Sequence, residues 1–232
     1  MFCFVLSANL KRHLITHRQN LTYTIRRLFT TISMEIQLPE STKAIIFDLD
    51  GTLADTMPLH YQACQIVCNA KGFDFPLDYF IEKAGIPTIE VFEMLMKDLN
   101  LPHDGVALGQ EKEAAVLTLV PTVKPIAPVY EFALAMKGKL PMAIGSGGQR
   151  ITVDLTLQAL DMIDFFDAVV SCDDVDHHKP HPDTFLAGAL QMGVAPEGCV
   201  VLEDGDPGIE AAKKAGMNYI DIRTFYQVEY TV

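Results

Sequence analysis

The stretch from Lys43 to Thr56, KAIIFDLDGTLADT, constrains this chain more than any other. Ala44, Ile45, Ile46 and Phe47 make a short apolar run, the kind that forms a strand buried on both faces. Asp48, Asp50 and Asp55 follow at once, with Gly51 among them. Two unit charges about 4 Å apart repel by roughly 4 kcal/mol at an effective dielectric near 20. A hard divalent cation such as Mg²⁺ removes that cost and favours oxygen ligands. The stretch therefore reads as the C-terminal end of a parallel strand, where open α/β sheets bind their ligands.

A chain of 232 residues is long enough for one domain, or one domain with a small insert, and buries a core without disulfide staples. Its five cysteines, Cys3, Cys64, Cys68, Cys172 and Cys199, are odd in number and scattered, which suits a reducing compartment; a cytoplasmic protein is expected. Cys64 and Cys68 lie one helical turn apart, but no Cys or His pair at zinc-finger spacing accompanies them, so they read as helix packing. Five of the 18 basic residues fall within residues 1–34, which hold no acid, leaving 13 basic residues against 30 acidic ones in the remainder. So acidic a body is a poor nonspecific nucleic-acid binder. No apolar run is long enough to span a bilayer. The expected partner is thus a small molecule, with neither nucleic acid nor membrane involved, and a monomer is the expected state.

Residues 1–34 admit three readings: a dispensable, disordered extension ahead of Met34, an organelle-targeting peptide, or a functional arm. In none of them does this segment join the core. Residues 43–49 read as the first strand, and from Met57 to about Val120 the pattern turns helical. Leu59, Ala63, Ile66 or Val67 and Ala70 recur at helical spacing up to Gly72; Thr88 is the expected N-cap for Ile89, Phe92, Met96 and Leu99; Leu108, Lys112, Ala115 and Leu119 continue the theme. So long a helical stretch directly after such a strand reads as an inserted cap, residues 57–120. Beyond Pro121 strands and helices alternate, with strands at Met142–Ile144, Ala168–Val170, Cys199–Leu202 and Tyr219–Ile222 and a helix from Pro182 to Met192. The expected fold is a doubly wound parallel α/β sheet built from residues 35–56 and 121–232, with the helical cap inserted.

Three further strand ends would converge on Asp48. Ser146, in Gly145-Ser146-Gly147-Gly148, offers a hydroxyl and backbone N–H groups ahead of a helix, which suits a phosphate. Lys179, in Lys179-Pro180-His181-Pro182, is a point charge on a stiff loop. Glu203 and Asp204 end a buried strand, where acids sit only when paired or bound to a metal. The neighbouring DDVDHHKPH stretch looks like a metal site, but His177 and His178 are adjacent and cannot share one face, so a loop presenting Lys179 explains it better.

Taken in order, Asp48-x-Asp50-Gly51-Thr52, Ser146, Lys179 and Glu203-Asp204 resemble the haloacid dehalogenase-like hydrolase superfamily, in its phosphatase branch with a helical cap. The resemblance spans residues 43–223. The runs KPHPDTFLAGALQMG and VVLEDGDPGIEAAKKAGM are especially similar to β-phosphoglucomutase-like enzymes and their sugar-phosphate phosphatase cousins of the fructose-1-phosphate and 6-phosphogluconate type.

What the resemblance implies is specific. Asp48 would be the nucleophile and form an aspartyl-phosphate. Asp50 would protonate the leaving sugar oxygen and then deprotonate water, which requires a pKa above that of a free Asp. Mg²⁺ would be held by Asp48, the Asp50 backbone carbonyl, Asp204 and Glu203, while Ser146, the Gly147 N–H and Lys179 would neutralise the phosphoryl oxygens. Two departures stand out. Gly205 occupies the place of the usual Ser, and the mutases' phosphate-gripping cap arginine has no counterpart near Gly85-Ile86-Pro87-Thr88. His60 matches a cap-hinge histidine of the mutases that helps Asp50 engage, or else faces solvent, whereas Lys112 reads as part of a solvated face. The expected activity is Mg²⁺-dependent hydrolysis of a small sugar phosphate, with a β-phosphoglucomutase and a catalytically silent binding scaffold as rivals.

Overall fold

The computed structural model describes residues 36–83 and 86–230, so expectations about residues 1–34 and the loop position of Gly85 lie outside the described residues. Five parallel strands, β1 (Ala44–Phe47), β2 (Met142–Gly145), β3 (Ala168–Val170), β4 (Cys199–Glu203) and β5 (Asn218–Asp221), form one sheet in the order β3-β2-β1-β4-β5. Phe47 pairs with Ile144 on one side and with Leu202 on the other. The strand order reverses at β1, the switch point at which such sheets open a crevice at their C-terminal edge.

Every residue of β1 is fully buried because helices cover both faces. Ile45 and Phe47 point into one cluster with Val129 and Ala133 of α5 (Ala127–Met136) and Val153 and Leu157 of α6 (Arg150–Ala159). Ala44 and Ile46 point into the other, with Phe185 and Ala189 of α7 (Asp183–Met192) and Ala211 and Ala212 of α8 (Asp206–Lys214). This is the doubly wound arrangement the sequence predicts. Some edges differ from expectation. The first strand stops at Phe47, because Leu49 O accepts from the N–H groups of Leu53 and Ala54 (3.1 and 2.9 Å) and turns the chain. Ile222, expected in the last strand, begins a short turn after β5.

Among the described residues four α-helices stand between β1 and α5: α1 (Met57–Ala70), α2 (Leu77–Glu82), α3 (Thr88–Asp98) and α4 (Gly105–Leu119). They enclose their own apolar cluster, which includes Tyr61, Phe75, Phe92, Leu95 and Leu108. Cys64 and Cys68 lie inside it and belong to no metal-holding group among the described residues. The six-residue α2 was not signalled by periodicity, being too short to show one. Thr88 is not an N-cap: Pro87 takes that position and Thr88 is the first helical residue. The cap that does form at α4 is Asp104, whose carboxylate accepts from Val106 N–H at 2.9 Å. Lys112 corrects a second expectation: it is 4% exposed rather than part of a solvated face. The two crossings between sheet and helical insert run side by side, Asp55 N–H donating to Lys124 O and Ile126 N–H to Leu53 O, both at 2.9 Å.

Candidate active site

The C-terminal ends of β1 and β4 and the loop after β3 bring three charged groups into contact. Asp48 follows β1, which still pairs at this point through Asp48 N–H to Leu202 O (2.9 Å), so its side chain leaves the sheet on a rigid base. Lys179 Nζ lies 2.6 Å from Asp48 Oδ1 and 2.7 Å from Glu203 Oε2, and all three side chains are nearly inaccessible to solvent. The ammonium also sits 4.7 Å from the centre of the Phe185 ring. Its loop is anchored at Ser171, whose N–H and hydroxyl both donate to Asp174 Oδ2 at 2.7 Å, and Arg150 pairs with the same carboxylate. Among the described residues the histidines of this loop belong to no metal-type cluster: His177 Nδ1 meets Asp183 Oδ2 at 2.9 Å and its ring lies 5.1 Å from that of His181.

Asp204 adds a third carboxylate. Its Oδ1 accepts from the Thr52 hydroxyl at 2.7 Å. Gly51, at φ +83°, lets the turn pass against it, since a Cβ there would lie 2.3 Å from Asp204 Oδ2. Gly208 is equally demanding, because its Cβ would fall 2.0 Å from Glu203 Oε2. Glu203 Oε1 accepts from Gly205 N–H at 2.9 Å, and a Cβ at residue 205 would approach that oxygen to 3.2 Å, a tight contact that Glu203 would have to ease by a few tenths of an ångström.

Asp50 and Ser146 face one another, the hydroxyl donating to Asp50 Oδ2 at 3.4 Å while Ser146 Oγ accepts from Gly148 N–H at 2.9 Å. Asp50 Oδ1 is buried without a hydrogen-bond partner. Gly147 is exposed in the same turn, with open space where a side chain would stand. His60 is not joined to these acids by a hydrogen bond. It lies on α1, where its Nδ1 accepts from Lys112 Nζ at 2.8 Å. Lys112 also donates to Thr88 Oγ1 (3.3 Å) and Glu113 Oε1 (3.0 Å), so all three N–H directions of the ammonium are filled and three cap helices meet on it.

The electrostatics follow from crowding. Burial, then the Asp48 charge, raises Asp50 to about 6, with Lys179 pulling the other way. Burial and then Asp48 also raise Glu203 and Asp204, to about 8 and about 7. Burial opposes charging of Lys179, but Asp48 and Glu203 outweigh it and hold the amine above its usual value. Burial and the adjacent Lys112 push His60 down to about 3, so its ring is neutral.

One oxygen from each of Asp48, Glu203 and Asp204 lies within 4.8 Å of the others. A single lysine faces two buried carboxylates and a half-buried third, and two of the three resist ionisation; that deficit of positive charge fits a hard divalent cation with oxygen ligands. The model for haloacid dehalogenase-like hydrolases matches residues 45–222. The chain belongs to the haloacid dehalogenase-like hydrolase family. It is thus an enzyme of hydrolase type, as the motifs imply. It is 40% identical over 185 residues to fructose-1-phosphate phosphatase YqaB of Escherichia coli, covering 79% of this chain and 98% of that one. It is 33% identical to the phosphorylated carbohydrates phosphatase of Thermotoga maritima, over 77% of this chain and 83% of the relative. Among solved structures it is similar to a putative β-phosphoglucomutase from Thermotoga maritima, with 30% identity and a TM-score of 0.65 over 76% of this chain and 82% of the other.

The sequence places Thr52 in its motif without showing the contact to Asp204, and it does not show the role of Gly208 or the Lys112 cluster. The places of Thr52 and Gly208 in the Asp-x-Asp-Gly-Thr and Glu-Asp-Gly-Asp-Pro-Gly runs are the available signal.

Proposed function

We propose that this protein is a Mg²⁺-dependent phosphatase that removes the phosphoryl group from a small phosphorylated sugar or sugar acid, of the fructose-1-phosphate or 6-phosphogluconate type. The observation that carries this reading is the contact of Lys179 with both Asp48 and Glu203 beside Asp204, together with Asp50 next to Ser146. A silent binding scaffold has no use for Asp50, whose raised pKa fits a proton carrier.

In this reading Asp48 attacks the phosphorus in line, and needs no base because a carboxylate is already ionised at neutral pH. Asp50, protonated part of the time at a pKa of about 6, passes its proton to the leaving sugar oxygen. It then takes a proton from the water that attacks the aspartyl-phosphate, and inorganic phosphate leaves. Lys179, the Ser146 hydroxyl and the Gly147 N–H stabilise charge on the phosphoryl oxygens. Asp48, Asp204, the Asp50 backbone carbonyl and Glu203 would hold Mg²⁺, which when bound supplies Lewis-acid stabilisation of the transferred group.

The mutase alternative has a specific observation against it. Residues 57–120 contain no arginine, and the buried cap lysine, Lys112, already has three partners within the cap. A second phosphate therefore finds no free guanidinium there. The test is phosphate release across a panel of sugar phosphates, with Mg²⁺ and with EDTA. Metal-dependent release that disappears in Asp48→Asn is expected. Release that survives Asp48→Asn, or interconversion of hexose phosphates without net hydrolysis, would overturn the reading.

A further inference from the structure

The family match ends at Ile222, yet the described chain continues to Tyr230 and does something definite there. Asp221 caps a short turn, Ile222–Thr224, by accepting from Arg223 N–H at 3.1 Å, and the N–H groups of Phe225 and Tyr226 bond to Ile222 O at 2.8 and 3.0 Å. Tyr226 is thereby fixed on the sheet side of the molecule. Its hydroxyl donates to Asp55 Oδ2 at 2.7 Å. Asp55 belongs to the outgoing crossing between sheet and cap, and its own N–H binds Lys124 O of the returning one. Tyr226 thus holds the point at which both crossings are tied together. The other oxygen of Asp55 is buried without a hydrogen-bond partner, so the phenol supplies the carboxylate's side-chain hydrogen bond.

Four residues further on the chain has reached the cap. The Tyr230 ring packs edge-on against Tyr61 of α1 (centroids 6.0 Å apart, 82°) and against Phe80 of α2 (5.9 Å, 77°), joining the apolar cluster of the cap rather than that of the sheet. Between the two tyrosines the segment lines an open cleft, with Gly51 and Asp204 on one side and Tyr226, Gln227 and Val228 on the other. The near end is bound to the core and, through Tyr226, to the hinge, and the far end to the cap.

We propose that residues 225–230 form a strap that crosses the hinge and restrains the cap against the core, with Tyr226 and Tyr230 as positioning residues. The strap does not depend on the reaction assigned above. Its hydrogen bond and its ring contacts stabilise one setting of the two crossings, so that removing either contact loosens both crossings while leaving the sheet intact.

The test is hydrogen exchange on the full chain, comparing the wild type with Tyr226→Phe and Tyr230→Ala. Tyr226→Phe deletes one oxygen and keeps the ring, so it preserves packing. The expected result is exchange about tenfold faster in peptides covering residues 53–60 and 120–127 in both variants, with residues 44–47 and 199–203 unchanged. Crossings that exchange at the wild-type rate in Tyr226→Phe overturn the strap. Should Tyr230→Ala also loosen β1 and β4, that variant reports global unfolding and Tyr226→Phe alone decides. Faster crossings in a protein whose wild type releases no phosphate would leave the strap standing and remove the phosphatase reading. Unchanged crossings in an active enzyme would do the reverse.

Discussion

Lys179 Nζ and Asp48 Oδ1 are 2.6 Å apart although 131 residues separate them along the chain. The same ammonium is 2.7 Å from Glu203, so one cation serves two buried carboxylates from two different strands. Removing one partner of a buried pair leaves an uncompensated charge, at a cost of about 3–5 kcal/mol. Lys179→Met is therefore expected to lower the unfolding free energy of the metal-free protein, read by urea denaturation, by that amount and to cut phosphate release at least ~100-fold. A variant as stable as the wild type would show that the carboxylates are neutral without their lysine.

The acids predict how stability varies with pH. Asp50, Glu203 and Asp204 titrate at about 6, 8 and 7 in the folded protein, above their ordinary values near 4. His60, lowered to about 3, works the other way up to about pH 6.5, but it is one group against three. Between about pH 4 and pH 8 the folded state therefore still holds more protons than the unfolded one, and stability falls as pH rises through that window. Lys179, held above its usual value, contributes only at alkaline pH and does not reverse the sign. The expected observation is a melting temperature in EDTA that drops by about 5 °C or more from pH 5 to pH 8, and a Mg²⁺ stabilisation that grows over the same range. Melting in EDTA that is flat or rising with pH would contradict the crowding described here.

Much of this site is legible in the chain because its acids end apolar runs. Ala44–Phe47 before Asp48, and Cys199–Leu202 before Glu203, mark strands buried on both faces, where a carboxylate needs a partner. The two prolines flanking His181 pointed to Lys179 in the same way. What was not legible is set by contacts between distant segments. The spacing of Leu108, Lys112, Ala115 and Leu119 gives the helix, but only α1 and α3 supply the acceptors that let Lys112 be buried. Thr88 looked like an N-cap because local sequence favours one, yet Pro87 supplies the turn and the hydroxyl serves Lys112. The pairing of Tyr226 with Asp55 spans 171 residues and leaves no local pattern at all.

Gly208 gives a sharper test of the site's geometry than any charged residue. A methyl group there would stand 2.0 Å from Glu203 Oε2 and 2.1 Å from its Cδ, so Glu203 must move and its contact with Lys179 is lost. Gly208→Ala is expected to destabilise by about 1–3 kcal/mol and to weaken Mg²⁺ binding about 10–100-fold, read by melting and by calorimetric titration. Gly147→Ala, with nothing within 4 Å of the new methyl, is the matched control and leaves the melting temperature within about 2 °C. Equal behaviour of the two variants would mean that Glu203 does not occupy the position seen here.

The Lys112 cluster predicts a titration as well as a stability change. His60, half-buried, is neutral because its ring is desolvated and because an ammonium stands 2.8 Å from its Nδ1. Lys112→Met keeps an unbranched apolar stem but removes the charge and all three donors, leaving the His60 and Thr88 acceptors without this donor. Buried groups left without partners cost about 1–3 kcal/mol, while Glu113 is exposed enough to be hydrated. The variant is expected to melt lower by that margin, and the His60 ring, freed from the neighbouring cation, is expected to titrate at higher pH than in the wild type. NMR of the His60 ring across pH 3–7 reads this directly. A His60 titration that stays where it was, together with unchanged melting, would mean that Lys112 does not pin α1, α3 and α4 together.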